Sequence, residues 1–291
     1  MADAQRLFVK VTRESLPQVR DKYPFLYLER GRLEIDDSSI KWIDGSNNVV
    51  PLPVATLNAL LLGPGTTITH DAVRTAAAAN CAVCWVGEDS LLFYAAGFLP
   101  TADTRNLKKQ IELSANPKKA IEVARRMFAR RFPDADLKDK TLQEMMGMEG
   151  NRVRILYQAK AEQYQVGWKG RSFTPGKFQT SNLTNQILTS TNAALYGILC
   201  SGVHSMGYSP HIGFIHSGSP LPFVYDLADL YKADLCIDLA FHLTRELAGR
   251  YDKHKVAAAF RQRVIELDLL AKLGEDIATM LGGAHARRPR Q

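Results

Sequence analysis

The densest cluster of chemically able side chains in this 291-residue chain is HSMGYSPHIGFIHSGSPLPFVYDLADLYK, running from His204 to Lys232. It holds three of the seven histidines, and a loop rich in Gly, Ser and Pro leads directly into a segment carrying Asp226 and Asp229. On a helix those two residues stand one turn apart, so their carboxylates can converge on a common point. His216 closes the apolar run Ile212–Ile215, which sets its imidazole at the mouth of a hydrophobic wall. One neutral imidazole with one or two carboxylates is an N/O ligand set suited to Mg²⁺ or Mn²⁺, ions that keep water and accept phosphate oxygens. The same residues also fit a solvated helix face bridged to Lys232, with His216 an ordinary loop histidine.

A third ligand is on offer in MMGMEGNR, where Glu149 sits among Gly147 and Gly150 inside an apolar stripe, followed by Arg152 and Arg154. Each glycine costs a helix about 1 kcal/mol relative to Ala, a cost that is tolerable where a ligand or another backbone must come close. The alternative is an exposed helical carboxylate paired with Arg152. Other chemistries are weaker. Cys81-Ala-Val-Cys84 has the C-x-x-C spacing but lies in an apolar β run, where residues three apart face opposite ways, and no second pair completes a zinc site. Cys200 and Cys236 lie in helical apolar patterns and are expected in the core. Gly63-Pro64-Gly65 lacks the rest of a phosphate loop, and no G-x-S-x-G elbow accompanies the serines and histidines.

Charge points the same way as the ligand set. The chain has 37 Lys+Arg against 30 Asp+Glu, a net +7. Between Arg105 and Arg131 there are nine basic residues and two acidic ones, an excess equal to that of the whole chain. Such a segment is the footprint expected of phosphate-backbone contact, although a solvated helix face has the same look. Four cysteines are too few for a disulfide scaffold, and MADAQRLFVKVTRES lacks the apolar run of a signal peptide. No stretch reaches the roughly 18–20 apolar residues of a membrane span. A cytoplasmic, membrane-free protein is expected.

The elements that must hold these residues change character once. Up to about Gly97 the chain reads as short strands: Leu7–Val11, Phe25–Glu29, Arg32–Ile35, Ser39–Ile43, Val49–Leu52, Leu57–Leu62, Ala82–Val86 and Leu91–Ala95. Asp44-Gly45 signals a hairpin, and one helix, His70–Ala79, interrupts with Thr69 as its N-cap. Beyond Gly97-Phe98-Leu99-Pro100 the apolar period becomes helical: Ala120, Val123, Ala124, Met127 and Phe128 line one face. Thr141-x-x-Glu144 is a capping box. Further helices are expected from Asn182 or Thr184 to Cys200, from Leu221 or Pro222 to about Leu247, and from His254 to Met280. The fold class is therefore α+β in two domains: a β-sandwich or β-roll with one short helix over 1–98, an all-α domain over 103–282 carrying the chemistry, and a basic flexible tail over 283–291.

MEGNRVR around Glu149, HIGFIHSG around His216 and PLPFVYDLADLYK around Asp229, three separated motifs in order, resemble the CRISPR-associated spacer-acquisition integrase, in particular its type I-E branch. GPGTTITHDAVRTAA and CWVGEDSLLFYAAG extend the resemblance through the β half. It implies a β domain followed by a helical domain, a homodimer, and two dimers flanking a dimer of a small ferredoxin-like adaptation protein. It also implies capture of double-stranded DNA with 3′ ends and its joining to CRISPR repeat DNA by transesterification. By position, Glu149, His216 and Asp229 would bind Mg²⁺ or Mn²⁺ and carry catalysis, with Asp226 an accessory ligand. Arg30, Arg74, Arg105, Lys108, Lys109, Arg152, Lys232, Lys253 and Arg261 are the expected DNA contacts. The family's duplex-bracing Tyr is replaced here by Arg30, and a Lys common in its His loop by Ser219. The competing expectation is a non-catalytic nucleic-acid-binding assembly protein with a degenerate metal site.

Overall fold

The computed structural model describes residues 22–23, 25–36, 39–87, 93–97, 104–172 and 178–282. The expected strand Leu7–Val11, residues 98–100 of the expected domain boundary and the basic tail lie outside the described residues. The N-terminal half holds β1 (Leu26–Leu28), β2 (Gly31–Asp36), β3 (Ser39–Asp44), β4 (Val49–Leu52), β5 (Ala59–Leu62), β6 (Thr66–Ile68), β7 (Ala82–Val86) and β8 (Phe93–Gly97), with α1 (His70–Ala78) after β6. They form two four-stranded sheets, β1-β5-β7-β8 and β4-β3-β2-β6. Asp44 closes the β3–β4 hairpin, its carboxylate accepting the Ser46 and Asn48 N–H groups at 2.8 and 2.9 Å. Thr69 caps α1 through the Ala72 N–H. β6 was not anticipated: three residues, two of them Thr, carry no readable alternation, and the strand is recruited by parallel pairing with β2.

Strand β5 reads as a continuous apolar run because both of its faces are buried, and β7 does so with only Trp85 exposed. Leu60, Leu62, Cys81 and Val83 pack with Leu33, Ile40, Ala72 and Ala76 in a core between the sheets and α1. Ala59, Leu61, Cys84 and Val86 face the other way, into a core shared with the helices. Cys81 and Cys84 thus point to opposite faces, and all four cysteines are free and buried. The expected two domains are therefore joined by a common core rather than hung on a linker.

The helical half comprises α2 (Arg105–Ala115), α3 (Pro117–Arg131), α4 (Leu142–Tyr164), α5 (Leu183–Ser205), α6 (Pro222–Ala228), α7 (Asp238–Leu247), α8 (Lys253–Glu266) and α9 (Leu269–Leu281). α5 is the axle of the molecule. Capped by Asn182, it is buried on nearly all sides, and its Ser201 hydroxyl donates to the Asn58 carbonyl of the β half at 3.0 Å. Buried Val123, Ala124, Met127 and Phe128 form the inner face of α3, and the Thr141–Glu144 capping box opens α4. No described helix is long and apolar enough to cross a membrane.

Two of the expected helices are broken. The helix expected from Leu221 to Leu247 is α6, a turn, a π-helical stretch over Ala233–Ile237, and α7. After Ala228 the chain tightens, with the Leu230 and Tyr231 N–H groups bonding three residues back, which leaves Asp229 at the break. The helix expected from His254 to Met280 is α8 and α9, separated at Asp268, whose φ is 51°. Neither break has a proline or glycine at its centre to announce it.

Candidate active site

His216 ends a loop that folds over the first turn of α6, and Asp226 is what holds the loop there. The Asp226 carboxylate is fully buried. Its Oδ2 accepts the Phe214 N–H at 2.6 Å and the Ile215 N–H at 3.2 Å, while Oδ1 accepts the His216 N–H at 2.9 Å and faces His216 Nδ1 at 2.8 Å. The expectation that Asp226 lends an oxygen to a metal is corrected by this geometry, because both oxygens are spent on the loop. Asp226 is instead a positioning residue. With Nδ1 against a carboxylate, the imidazole carries its proton there and turns Nε2 and its lone pair outward. The Asp226 hydrogen bond holds His216 above the ordinary imidazole range, against burial and with help from Asp229.

Asp229, at the helix break, faces that lone pair: Asp229 Oδ2 lies 3.8 Å from His216 Nε2. Adjacent ligands of an octahedral ion lie about 3.0 Å apart, so a movement of about 1 Å would let this pair share a cation. Asp229 Oδ1 accepts from Lys232 Nζ at 2.8 Å. Burial works against the Lys232 charge, but Asp229 and Tyr196 more than offset it and hold the amine above its ordinary value. Lys232 also lies 5.1 Å over the Tyr196 ring, so the expected DNA contact is committed to the site instead.

Glu149 projects from the middle of α4. It does not pair with Arg152, which binds Asp134 at 2.9 and 3.1 Å. Its partner is Arg131, from the last turn of α3: Arg131 Nη1 donates to Glu149 Oε1 at 2.5 Å and lies 3.7 Å from Asp229 Oδ2. Glu149, Asp229 and Arg131 are only 17%, 12% and 10% exposed. A positive charge thus stands between the two carboxylates, and among the described residues no three His, Cys, Asp or Glu side chains already converge tightly enough to hold an ion. The donors suit a divalent cation in kind, with an aligned imidazole and carboxylate and a second carboxylate held nearby by a cation. A Cβ at Gly147 or Gly150 would meet no neighbouring atom, so these glycines leave open space on α4.

These side chains sit in a cleft of 1420 Å³ that also contains Arg171, Asn192 and Tyr157. None of those three stood out in the sequence. Arg171 is fixed by Asn185 Oδ1 at 2.8 Å and Thr189 Oγ1 at 3.0 Å, and Asn192 Oδ1 is buried without a hydrogen-bond partner. Of the expected DNA contacts, Arg152 and Lys232 line this cleft and the others lie elsewhere. Lys253, which binds Glu29 at 2.5 Å, and Arg261 line a separate cavity of 320 Å³ beside Phe25 and Trp42. Arg74 pairs with Asp71 at 2.9 Å, Lys109 donates to the Gly282 carbonyl, and Arg30 is exposed in a left-handed turn with φ 56°. Arg105 and Lys108 are exposed on α2.

Similarity to known proteins extends along most of the chain. The model of the family "CRISPR associated protein Cas1" matches residues 128–256, the stretch that carries Arg131, Glu149, His216 and Asp229. A CRISPR-associated endonuclease Cas1 of Chlorobaculum tepidum is 69% identical over 277 residues, 95% of this chain and 94% of the relative. One from Thermus thermophilus is 37% identical over 270 residues, 93% of this chain and 82% of the relative. The crystal structure of a TtCas1–DNA complex superposes with a TM-score of 0.68 at 37% identity, covering 92% of this chain and all of that one. With similarity at this level along nearly the whole chain, and the motifs in place on the same fold, the chain belongs to the Cas1 family of CRISPR-associated proteins.

Proposed function

We propose that the protein is a divalent-metal-dependent DNA integrase and endonuclease of CRISPR adaptation. Its reaction joins the 3′-hydroxyl ends of a short captured duplex to CRISPR repeat DNA. The 3′-oxygen forms a bond to a repeat phosphorus as the phosphorus–oxygen bond to the departing 3′-oxygen breaks, so one phosphodiester replaces another and no energy source is required. With water as nucleophile the same centre cuts. The relatives named as endonucleases and the neighbour solved with DNA support this reading.

The observation that carries it is His216 Nε2, turned out by Asp226 and 3.8 Å from Asp229 Oδ2 in a cleft of 1420 Å³. Glu149, His216 and Asp229 would hold Mg²⁺ or Mn²⁺, which supplies Lewis-acid stabilisation of charge on the transferring phosphoryl group. Asp226 fixes the imidazole, Lys232 tethers Asp229, and Arg152 and Arg171 offer positive charge to phosphate oxygens along the cleft. In this reading the protein works in the cytoplasm as a homodimer, with a small ferredoxin-like adaptation protein bridging two dimers. A non-catalytic assembly protein would have no use for an imidazole aligned by a buried carboxylate.

His216→Ala is expected to abolish DNA strand transfer and cutting in Mg²⁺ or Mn²⁺ while duplex binding, measured by fluorescence anisotropy, stays within about threefold of wild type. Undiminished strand transfer by that variant refutes the assignment.

A further inference from the structure

Arg131 occupies a place that the proposed chemistry needs for something else. Its guanidinium leaves the end of α3, lies 5.0 Å over the Phe132 ring, and donates to Glu149 Oε1 while standing 3.7 Å from Asp229 Oδ2. Asp229 Oδ1 is held by Lys232, so Oδ2 is the oxygen left for an ion, and it is the one Arg131 approaches. At 10% exposure the guanidinium is poorly hydrated, and the two acids are its counter-charges. A divalent ion bound to Glu149 and Asp229 would lie within a few ångströms of that guanidinium in a partly buried site, where like charges repel strongly.

We infer that Arg131 is a resident counter-cation of the metal centre. In the metal-free chain it neutralises Glu149 and Asp229 and keeps them near each other without bringing them to bonding distance of one ion. A divalent cation binds by displacing it, so metal affinity is set partly by the cost of breaking the Arg131–Glu149 bond. This rests on the metal reading given above. It adds that ion and arginine compete for the same oxygens, whereas a purely supportive arginine would stay in place and strengthen metal binding.

The two roles predict opposite signs. Mn²⁺ binding to the full-length protein without DNA, read by calorimetry and by the electron paramagnetic resonance signal of free Mn²⁺, is expected to tighten about tenfold or more in Arg131→Gln. The bond given up is a charge-assisted one worth about that factor. In EDTA the variant should melt below wild type, because Glu149 and Asp229 then repel without a partner, and Mn²⁺ should raise its Tm by more than it raises that of wild type. Equal or weaker Mn²⁺ binding by a folded Arg131→Gln overturns the inference. Should that variant fail to fold, the side-chain Nε–H resonance of Arg131 in wild-type protein, assigned with Arg131→Lys, decides instead: it should shift on Mg²⁺ addition, and an unmoved resonance at saturating Mg²⁺ overturns the inference. If millimolar Mn²⁺ binds to neither wild type nor variant, it is the metal reading itself that fails.

Discussion

At Asp226 a carboxylate without solvent exposure accepts three backbone N–H groups and faces an imidazole, whereas Asp229, three residues on, spends one oxygen on Lys232 and keeps the other for the cleft. Burying a carboxylate is costly unless its lone pairs are used, and here donors from the loop 214–216 use them all. Asp226→Asn keeps the shape but sets an NH₂ against N–H donors, leaving at least one of them unsatisfied at a cost of about 1–3 kcal/mol. The imidazole also loses the partner that fixes its tautomer, a kind of change that lowers metal affinity or activity by about 10–100-fold. Strand transfer by Asp226→Asn should therefore fall by that factor although the residue touches neither ion nor DNA, and calorimetry should show weaker Mn²⁺ binding. Full activity in this variant would show that the loop holds His216 without it.

The loop from Gly213 to His216 can lie on α6 only because Gly213 has no side chain. A Cβ there would come within 2.8 and 2.9 Å of Pro222 Cβ and C and 3.0 Å of Asp226 Oδ2, and a proline ring at the start of a helix cannot give way. Gly213→Ala should lift the loop and cut strand transfer at least tenfold, at a stability cost of about 1–3 kcal/mol typical of overpacking. Gly202→Ala on α5 is the control, because its tightest contact is 2.7 Å to the flexible end of Leu273 and activity should survive. Equal activity in the two variants would disprove the wedge. In the same last turn of α5, burial and then the neighbouring His211 lower His204 to about 4 from an ordinary 6.5. The unfolded chain takes up that proton near pH 6.5 and the folded chain only near 4, so the proton favours unfolding as pH falls between those values. Tm should drop over that window more steeply in wild type than in His204→Gln. Parallel slopes would mean that the folded His204 titrates normally.

Over the whole molecule, what could be read in advance was whatever depends on neighbours in sequence: strand runs, the Thr69 and Thr141 caps, the inner face of α3, and the opposed Cys81 and Cys84. The helix breaks at Asp229 and Asp268 and the partner of Glu149 depend on packing between distant segments, so they were not legible. The same limit applies to the charge of residues 105–131. Lys119 is paired with Glu112, Arg125 with Glu122, Arg130 with Asp276 at 2.9 Å and Arg131 with Glu149. The cations of α3 best placed to meet a polyanion are then Lys118 and Arg126, both exposed, with Arg126 bonded among the described residues to the Glu122 carbonyl alone. From Lys118 to the cleft at Arg131 α3 rises about 20 Å, roughly six base pairs of duplex at 3.4 Å each. If a duplex leaves the cleft along this helix, each phosphate contact adds about 0.9 to the slope of log K against log salt. Lys118→Gln with Arg126→Gln should therefore flatten that slope by about two units and weaken binding uniformly across sequences, while Lys119→Gln with Arg125→Gln, whose charges are already met internally, should change it far less. Titrations between 50 and 300 mM salt measure both, and equal slopes for the two double variants would place the duplex on another face.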